Sequence, residues 1–246
     1  MKNVTVTKTR IGKYFISIQV ELEIPEPDRV GGRVGIDMGV RDLICLSTGK
    51  KVEMPQYYRK AERKRRRLAR QLSRKKKGSR NREKARHRLA CQDERIANQR
   101  RDFHHKLSRQ LVEENQFIGL EDLNVRGMMA NHHLAKSIGD AGWSGFVSML
   151  AYKGVWYGCR VEKIDRWYPS SRTCSACGRK VKRIPLSIRE WRCSECGCVH
   201  DRDVNAAINI LKQATVGATG RRNLDVANAW GQHVRPGTAA ADGQAG

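Results

Sequence analysis

Long apolar runs and acidic side chains are scarce in this chain of 246 residues, and we expect no amino-terminal leader. No apolar run approaches the ~20 residues that a membrane-spanning helix needs, so we expect no transmembrane segment. The first ten residues contain no apolar core of the kind that marks a signal peptide. We therefore expect a cytoplasmic protein, in which paired cysteines are more often metal ligands than disulfides.

The shortage of acids leaves a large positive charge. There are 25 Asp and Glu residues against 49 Lys and Arg residues, which gives a net charge of +24. Such an excess would destabilise a compact fold by self-repulsion unless a polyanion neutralised it. Nucleic acid is the first candidate for that polyanion, and an anionic membrane surface is the second.

Most of the positive charge is concentrated in one segment. Residues 59–109 contain 22 Lys and Arg residues against 5 Asp and Glu residues, in a helical pattern divided at Gly78–Ser79. The pattern predicts a helical hairpin with a narrow apolar seam and a cationic outer face. A solvated surface is the alternative, but such surfaces normally mix charge signs. We predict phosphate binding without base readout, by Arg63, Lys64, Arg65, Arg66, Arg67, Arg70, Arg74, Lys75, Lys76 and Lys77.

Three acidic residues stand at structurally informative positions. Asp37 lies inside a predicted strand, where Asp is disfavoured, between two glycines that leave its surroundings open; the alternative is that it caps a turn. Glu121 ends a buried strand, a rigid position that suits a functional group. The neighbouring Asp122 fits better as the N-cap of the next helix. Asp203 opens a helix in the run HDRDVNAAINIL.

If these three carboxylates converge, they form a site for hard divalent cations. Mg²⁺ takes oxygen ligands and keeps waters and substrate phosphates in its shell. Two such ions about 3.5–4 Å apart can clamp the attacking and leaving oxygens of a phosphodiester. The combination with a cationic hairpin predicts a metal-dependent nuclease.

A second metal site is indicated by paired cysteines. Cys174 and Cys177 are separated by fifteen residues from Cys193 and Cys196, which is a four-cysteine zinc spacing. Four thiolates leave no open position, so we predict a structural Zn²⁺ in a small ribbon that holds Asp203 in place. Cys198 is a fifth thiol that could substitute, although it lacks the turn spacing. His132 and His133 have no partner at a ligand spacing and are assigned to a loop.

Five motifs together carry a family resemblance. GIDMGV, GLEDLNV, YPSSRTCSACG, WRCSECG and HDRDVNAAINIL, in this order, resemble the TnpB (OrfB) proteins of bacterial and archaeal insertion sequences, which are relatives of type V CRISPR effector nucleases. The resemblance covers about residues 1–212. It implies an α/β fold with an RNase H-like (RuvC-type) mixed sheet, a basic helical hairpin insertion and an inserted four-cysteine zinc ribbon.

The resemblance also implies roles for residues and partners. The catalytic acids that bind Mg²⁺ would be Asp37, Glu121 and Asp203; the last is preferred to Asp201 because the acid of the family stands two residues before the Asn-Ala-Ala run. Members resemble RNA-guided DNA endonucleases that use an RNA from the end of the element. Older descriptions call them transposases.

Only a short segment precedes Arg33, whereas family members usually carry a long region there that holds the guide RNA, so we expect a truncated member or a reading frame that starts upstream. The expected segments are a β remnant (1–30), the first core part (31–56), the basic hairpin (57–114), the second core part (115–168), the zinc ribbon (169–200), the final core helix (201–213) and a disordered tail (214–246).

Three functions remain open at this point. The first is a metal-dependent DNA endonuclease, guided when the missing region is supplied. The second is a nucleic-acid-binding protein without catalysis, such as a regulator or a remnant of a transposon. The third is a transposase that joins strands, since RNase H-type folds host that chemistry too.

Overall fold

The fold is taken from a computed structural model that describes residues 3–21, 31–182, 184–185 and 187–217, together with the backbone of two short strands further on. Residues 22–30, the end of the predicted β remnant, and most of the tail predicted to be disordered lie outside these residues. The strands are β1 (Asn3–Lys8), β2 (Tyr14–Gln19), β3 (Gly32–Asp37), β4 (Asp42–Leu46), β5 (Lys51–Glu53), β6 (Asn115–Glu121), β7 (Arg160–Ile164), β8 (Glu190–Arg192), β9 (Val199–Asp201), β10 (Val226–Ala227) and β11 (His233–Val234).

Six α-helices are found in the described residues. The helices are α1 (Tyr57–Ser73), α2 (Arg80–Glu114), α3 (Val125–Met129), α4 (His132–Ala141), α5 (Trp143–Tyr157) and α6 (Arg202–Gly217), with a single 3₁₀ turn at Ser170–Arg172. His132 and His133 therefore begin α4 instead of lying in a loop. The Asn131 side chain accepts the His133 N–H at 3.0 Å and so caps this helix, a signal that the sequence interpretation overlooked.

A mixed sheet of five strands forms the centre of the molecule, in the order β5-β4-β3-β6-β7. Strand β6 runs parallel to both β3 and β7, whereas β4 and β5 are antiparallel to their neighbours. In the register, Ile36 pairs with Leu120 and Glu121 pairs with Ile164. Asp37 and Glu121 therefore end adjacent parallel strands at the same edge of the sheet.

The two faces of the sheet are covered by different helices. Val34, Ile36, Ile118 and Leu120 are fully buried in one cluster with apolar side chains of α2 and α5. Residues at alternate positions, including Gly35 and Gly119, face the other way and meet α6, because successive side chains of a strand point to opposite faces. The acids at the strand ends share the face that α6 covers.

Helix α6 lies directly against the backbone of the sheet. A Cβ placed on Gly35 would come within 2.0 Å of the Ala207 carbonyl oxygen, and one on Gly119 within 2.8 Å of the Ala214 Cβ. The helix continues past the predicted boundary at residue 213 and ends at Gly217, because Ala214 is buried against β6. The tail also contains one short antiparallel pair, β10 with β11.

The basic hairpin is held by contacts at both ends of α1. The carboxylate of Asp140 in α4 accepts the backbone N–H groups of Tyr58 at 2.9 Å and Arg59 at 3.3 Å, and so caps the start of α1. At the other end, the Arg82 guanidinium donates to the carbonyl oxygens of Leu72 at 3.1 Å and Lys75 at 3.0 Å. No residue of α1 is buried, so these polar contacts contribute much of the stability with which α1 is held against α2 and α4.

The first two strands form a separate antiparallel hairpin with Val4 opposite Ile18. Its apolar side chains are mostly exposed, including Ile16 at 67%. One exposed ion pair, between Lys13 and Glu94 at 3.2 Å, joins it to α2. None of the described helices is both long enough and apolar enough to span a bilayer.

Candidate functional site

The three acids singled out in the sequence come from three separate elements. Asp37 ends β3, Glu121 ends the neighbouring strand β6, and Asp203 lies in the first turn of α6. Helix α6 packs on β3 and β6 through Gly35 and Gly119, each two residues before one of the strand acids. The close packing at these glycines therefore brings the start of α6 to the edge where both strands end.

The electrostatics of Asp37 reflect this convergence. Burial raises the pKa of the Asp37 carboxyl well above 3.8, and the negative charges of Glu121 and then Asp203 raise it further. Burial also raises the pKa of Glu121, against the opposing effect of a hydrogen bond donated by the Ser170 hydroxyl. Burial is therefore the main reason why both strand-end carboxyls resist ionisation, and repulsion between the acids adds to it at Asp37.

Two further acids in the same region are engaged elsewhere. Asp122 forms ion pairs with Arg166 and Lys163; burial alone would raise the pKa of Asp122, but these partners outweigh it and the pKa is lowered. The expected role of Asp122 as an N-cap is wrong, because Asn124 caps α3 by accepting the Gly127 N–H at 3.0 Å. Strand alternation also turns Asp122 away from the face that Glu121 shares with α6.

Asp201 is occupied by structural contacts. One carboxylate oxygen accepts the N–H groups of Asp203 and Val204, each at 3.0 Å, and the other pairs with the Lys51 ammonium at 2.6 Å. Burial would raise the pKa of Asp201, but these hydrogen bonds lower it overall. Asp201 thus caps α6 and leaves Asp203, which contacts Arg189 at 3.5 Å, to face the acid cluster.

The Asn-Ala-Ala-Ile-Asn run of α6 has a role that the sequence did not reveal. The buried Asn205 accepts the Ser175 N–H and donates to the Thr173 carbonyl oxygen, both at 2.8 Å. Asn209 donates to the carbonyl oxygens of Ser170 at 2.9 Å and Thr173 at 2.6 Å. These side chains bind α6 to the segment whose Ser170 hydroxyl holds Glu121.

The four cysteines with the turn spacing are brought together. The Sγ atoms of Cys174, Cys177, Cys193 and Cys196 all lie within 4.8 Å of one another. Cys198 is exposed and not part of this group. Within the described ranges, no other set of three or more potential ligands meets this distance, so the three carboxylates are spaced more widely than the thiols.

Each cysteine pair lies on the same kind of turn. The Gly178 N–H donates to the Cys174 carbonyl oxygen at 2.9 Å, and the Gly197 N–H to that of Cys193 at 3.0 Å. Both glycines have positive φ, 78° and 72°, which glycine adopts without steric cost. Two such turns facing each other bring four thiols to one point.

The second turn continues directly into α6. Strands β8 and β9 form a hairpin in which Trp191 pairs with His200, and β9 ends at Asp201, the cap of α6. The Nε2 atom of His200 lies 3.0 Å from the Cys174 Sγ. His200 was not recognised from the sequence, because it has no second histidine at a ligand spacing. Only residues 197–202, which include β9 and its final residue Asp201, thus separate Cys196 from Asp203.

Basic side chains of α1 line an open groove. A cavity of about 970 Å³ is lined along α1 by charged side chains that include Arg63, Lys64, Arg66, Arg67, Arg70 and Arg74. Arg59 lines this groove and also a second cavity of about 310 Å³ that reaches Arg189, the partner of Asp203. Arg59 is thus common to the two cavities, and the second of them extends to the residue that contacts Asp203.

The other residues predicted to bind nucleic acid lie outside this groove. The Arg65 guanidinium contacts the carboxylate of Asp93 in α2 at 2.6 Å and so ties the hairpin together. Lys75, Lys76 and Lys77 are exposed in the turn after α1.

These features define an α/β protein with a mixed sheet, a carboxylate cluster at its edge and a four-cysteine group beside it. The fold is similar to those of two solved assemblies. One is titled "Cryo-EM structure of the Cas12f1-sgRNA-target DNA complex", with a TM-score of 0.52 and 14% identity over 85% of this chain and 55% of that chain. The other is titled "Cryo-EM structure of CRISPR-Cas12f Ternary Complex", with a TM-score of 0.56 and 19% identity over 85% and 44%. At these identities the likeness concerns the fold alone.

Sequence comparisons give the family. The OrfB_IS605 family model, described as "Probable transposase", matches residues 16–132, and the model "Cas12f1-like, TNB domain" matches residues 143–210. A "Putative RNA-guided DNA endonuclease" of Streptomyces pristinaespiralis is 48% identical over 208 residues, which are 85% of this chain and 52% of that protein. InsQ of Escherichia coli, with the same description, is 38% identical over 227 residues, 86% of this chain and 56% of that protein.

The chain belongs to the TnpB family, which confirms the resemblance carried by the five motifs. It spans about half the length of the curated relatives it matches.

Proposed function

We propose that this chain is a metal-dependent DNA endonuclease that hydrolyses phosphodiester bonds in an RNase H-like (RuvC-type) site. The observation that carries the proposal is the convergence of Asp37, Glu121 and Asp203 from three elements far apart in sequence. Rigid strand ends and a packed helix suit a site that must hold reacting groups in fixed positions. The sheet order and the acid positions support the RNase H-like assignment.

The carboxylates fit a site for Mg²⁺. They are oxygen donors, which this ion prefers. The pKa of Asp37 is raised first by burial and then by the charges of Glu121 and Asp203, and a bound divalent cation would oppose both effects. We propose that they hold a pair of such ions. When bound, such ions would activate water and stabilise the charge that develops on the phosphate.

The residues around the acids have distinct tasks in this proposal. Asp37, Glu121 and Asp203 bind cations as carboxylates, Ser170 orients Glu121, and Asp201 fixes the start of α6. The arginines of α1 hold the phosphates of the substrate strand without reading bases. Arg59 and Arg189 extend that positive surface to the reacting phosphate.

We assign a structural Zn²⁺ to Cys174, Cys177, Cys193 and Cys196. Four thiolates at this spacing bind zinc tetrahedrally and leave no position for substrate. The ion would fold a ribbon of β8 and β9, whose last residue caps α6. Its contribution to the function is therefore the placement of Asp203.

We propose DNA as the substrate and an RNA from the transposon end as the guide. Two relatives carry RNA-guided DNA endonuclease in their names, and the Cas12f1 assembly contains an sgRNA and a target DNA. Because the chain spans about half the length of these relatives, guided recognition is assigned to the complete protein. The described chain would supply the hydrolytic site and part of the phosphate-binding surface.

Incubation of the chain with DNA and Mg²⁺ tests the hydrolytic function. We expect cleavage that a chelator abolishes and that Asp37→Ala removes. Equal cleavage by the wild-type chain and the variant would contradict the assignment.

Joined strands in place of hydrolysed ends would favour the transposase alternative, for which the description of the first family model is the supporting observation. DNA binding without cleavage at any cation concentration would favour the non-catalytic alternative.

A further inference from the structure

One tryptophan close to the acid cluster is almost completely exposed. Trp167 has 85% of its surface in solvent, more than any other large apolar residue of the described chain. Tryptophan is on average strongly buried, because its large ring gains much from leaving water. Nothing in the described part of the chain covers this ring, so its exposure calls for an explanation.

The loop that carries Trp167 begins and ends beside Glu121. Ile164, before the loop, pairs with Glu121 in the sheet, and Ser170, after the loop, donates its hydroxyl hydrogen bond to the Glu121 carboxylate. Trp167 is three residues from each of them. Because an extended residue spans at most about 3.6 Å, the Trp167 Cα lies within about 11 Å of both. The loop that carries the exposed ring therefore begins and ends next to Glu121.

The loop is held by hydrogen bonds and packing. The Trp167 N–H donates to the Asp165 carboxylate at 2.7 Å, and the Tyr168 N–H donates to the Asp165 carbonyl oxygen at 3.1 Å. Arg166 donates to the Asp122 carbonyl oxygen at 3.0 Å and pairs with its carboxylate. Tyr168 packs against the apolar cluster beneath α6. The backbone of Trp167 is thus fixed while its ring is left in water.

We propose that Trp167 stacks on a base of a single-stranded substrate and positions the neighbouring phosphate at the acid cluster. Base stacking on an aromatic ring tolerates any sequence, because every base has a flat π-face. The bases of a duplex are already stacked and paired, so the ring selects a separated strand. This inference rests on the proposed nuclease function and adds a residue that positions its substrate. Trp167 is a positioning residue in this account, because it contacts the substrate and none of the reacting atoms.

A binding assay with intact DNA tests the inference. The full chain carrying Asp37→Asn, which prevents cleavage, is titrated into labelled single-stranded oligonucleotides of about 12 nucleotides, within the range of known single-strand site sizes. One oligonucleotide carries all its bases, and a second of equal length is abasic and keeps only the sugar–phosphate backbone. A duplex with the sequence of the base-bearing oligonucleotide is the third probe. Trp167→Ala and Trp167→Phe are compared in this background. Trp156→Ala is the matched control, because Trp156 is 51% exposed on α5.

We expect Trp167→Ala to weaken binding of the base-bearing strand by about 5- to 100-fold, the loss typical of one stacked base. Trp167→Phe should retain most of the affinity, and Trp156→Ala should retain all of it. Affinity for the abasic strand and for the duplex should not change. Unchanged binding of the base-bearing strand by Trp167→Ala, or an equal loss with the abasic strand, would overturn the inference and leave the nuclease assignment intact. Failure of the Asp37→Asn chain itself to bind any of the three DNA probes would contradict both.

Discussion

Asp37 is the residue at which burial and charge conflict most clearly. Its pKa in the folded chain lies above its ordinary value of 3.8, because burial and then the charges of Glu121 and Asp203 disfavour the carboxylate. The folded state therefore binds this proton more tightly than the unfolded state does. The resulting destabilisation is absent below pH 3.8, develops as the pH rises through the folded pKa, and is complete above it.

We predict that Asp37→Asn stabilises the chain at neutral pH in the absence of divalent cations. We expect the free energy of unfolding to rise, because the amide carries no charge that burial and the neighbouring acids would disfavour. Urea unfolding at several pH values measures this effect. The difference between the variant and the wild-type chain should shrink towards acid pH. A variant less stable than the wild-type chain at neutral pH would show that the Asp37 carboxylate is compensated within the protein.

Single residues also show where sequence reasoning stops. The acids were visible because each has an unusual local context, such as Asp37 within a strand. Asn205 and Asn209 were not, because an Asn in a helix gives no local sign that its partner is a carbonyl group about thirty residues earlier. The same holds for Ser170 and Glu121, whose hydrogen bond exists only after β6 and the 3₁₀ turn have come together.

At the scale of elements, the position of α6 depends on close contact with the sheet. Gly35→Ala would place a Cβ 2.0 Å from the Ala207 carbonyl oxygen, with backbone on both sides of the contact. We predict a loss of about 3 kcal/mol in the free energy of unfolding, at the upper end of typical overpacking costs. Thermal or urea unfolding measures it. Gly145→Ala in α5 is the control, because nothing lies within 4 Å of its Cβ position and a helical alanine is favoured over glycine. Equal stability of the two variants would show that α6 does not rest on Gly35.

The ribbon is the second element on which α6 depends. We predict that Cys174→Ser removes zinc and exposes the first turn of α6, because β9 carries the cap residue Asp201. Elemental analysis should find one zinc per wild-type chain, and hydrogen exchange should show loss of protection at the amides of Asp203 and Val204. Since zinc binding contributes on the order of 10 kcal/mol to small zinc folds, the loss of protection should be large. Cys198→Ser, outside the cysteine group, should leave both readouts unchanged. Protected amides in a zinc-free Cys174→Ser chain would contradict this link.

Elements also differ in how well sequence patterns locate them. Gly78–Ser79 marked the division of the basic hairpin, because Ser79 caps α2 by accepting the Arg82 N–H at 3.2 Å. The end of α6 at Gly217 was missed by four residues. Its last turn begins with Ala214, whose packing on Gly119 becomes visible only in three dimensions.

For the whole molecule, the positive charge is organised by α1. We predict that changing Arg63, Arg67 and Arg70 to Gln together weakens single-stranded DNA binding for all sequences. If each contacts one phosphate, the slope of log K against log salt should fall in magnitude by about 2, because each contact contributes about 0.7 for single strands. Filter binding over a salt series measures the slope. Lys106→Gln in α2 is the control, since Lys106 already pairs with Asp102 at 2.8 Å. An unchanged slope in the triple variant would place the binding surface elsewhere.

The overall arrangement was only partly accessible from the sequence. The family resemblance implied the α/β fold, and local patterns indicated the basic helical hairpin and several strands. The sheet order β5-β4-β3-β6-β7 depends on pairing between strands separated by whole helices, which local patterns do not encode. A joint site of the three acids depends on how β3, β6 and α6 pack, which local patterns do not encode, and it stays a prediction.

The central claim is that Asp37, Glu121 and Asp203 form one cation site. Calorimetric titration with Mn²⁺, which prefers the same carboxylate ligands as Mg²⁺, tests it directly, because binding needs only β3, β6 and α6. We predict that Asp37→Asn, Glu121→Gln and Asp203→Asn each weaken binding by at least about tenfold, the smallest loss typical even of groups that only support a metal ligand. Asp201→Asn, which keeps an equally good helix cap, should bind like the wild-type chain. Normal binding by any one of the first three variants, or loss of binding in Asp201→Asn alone, would contradict the account.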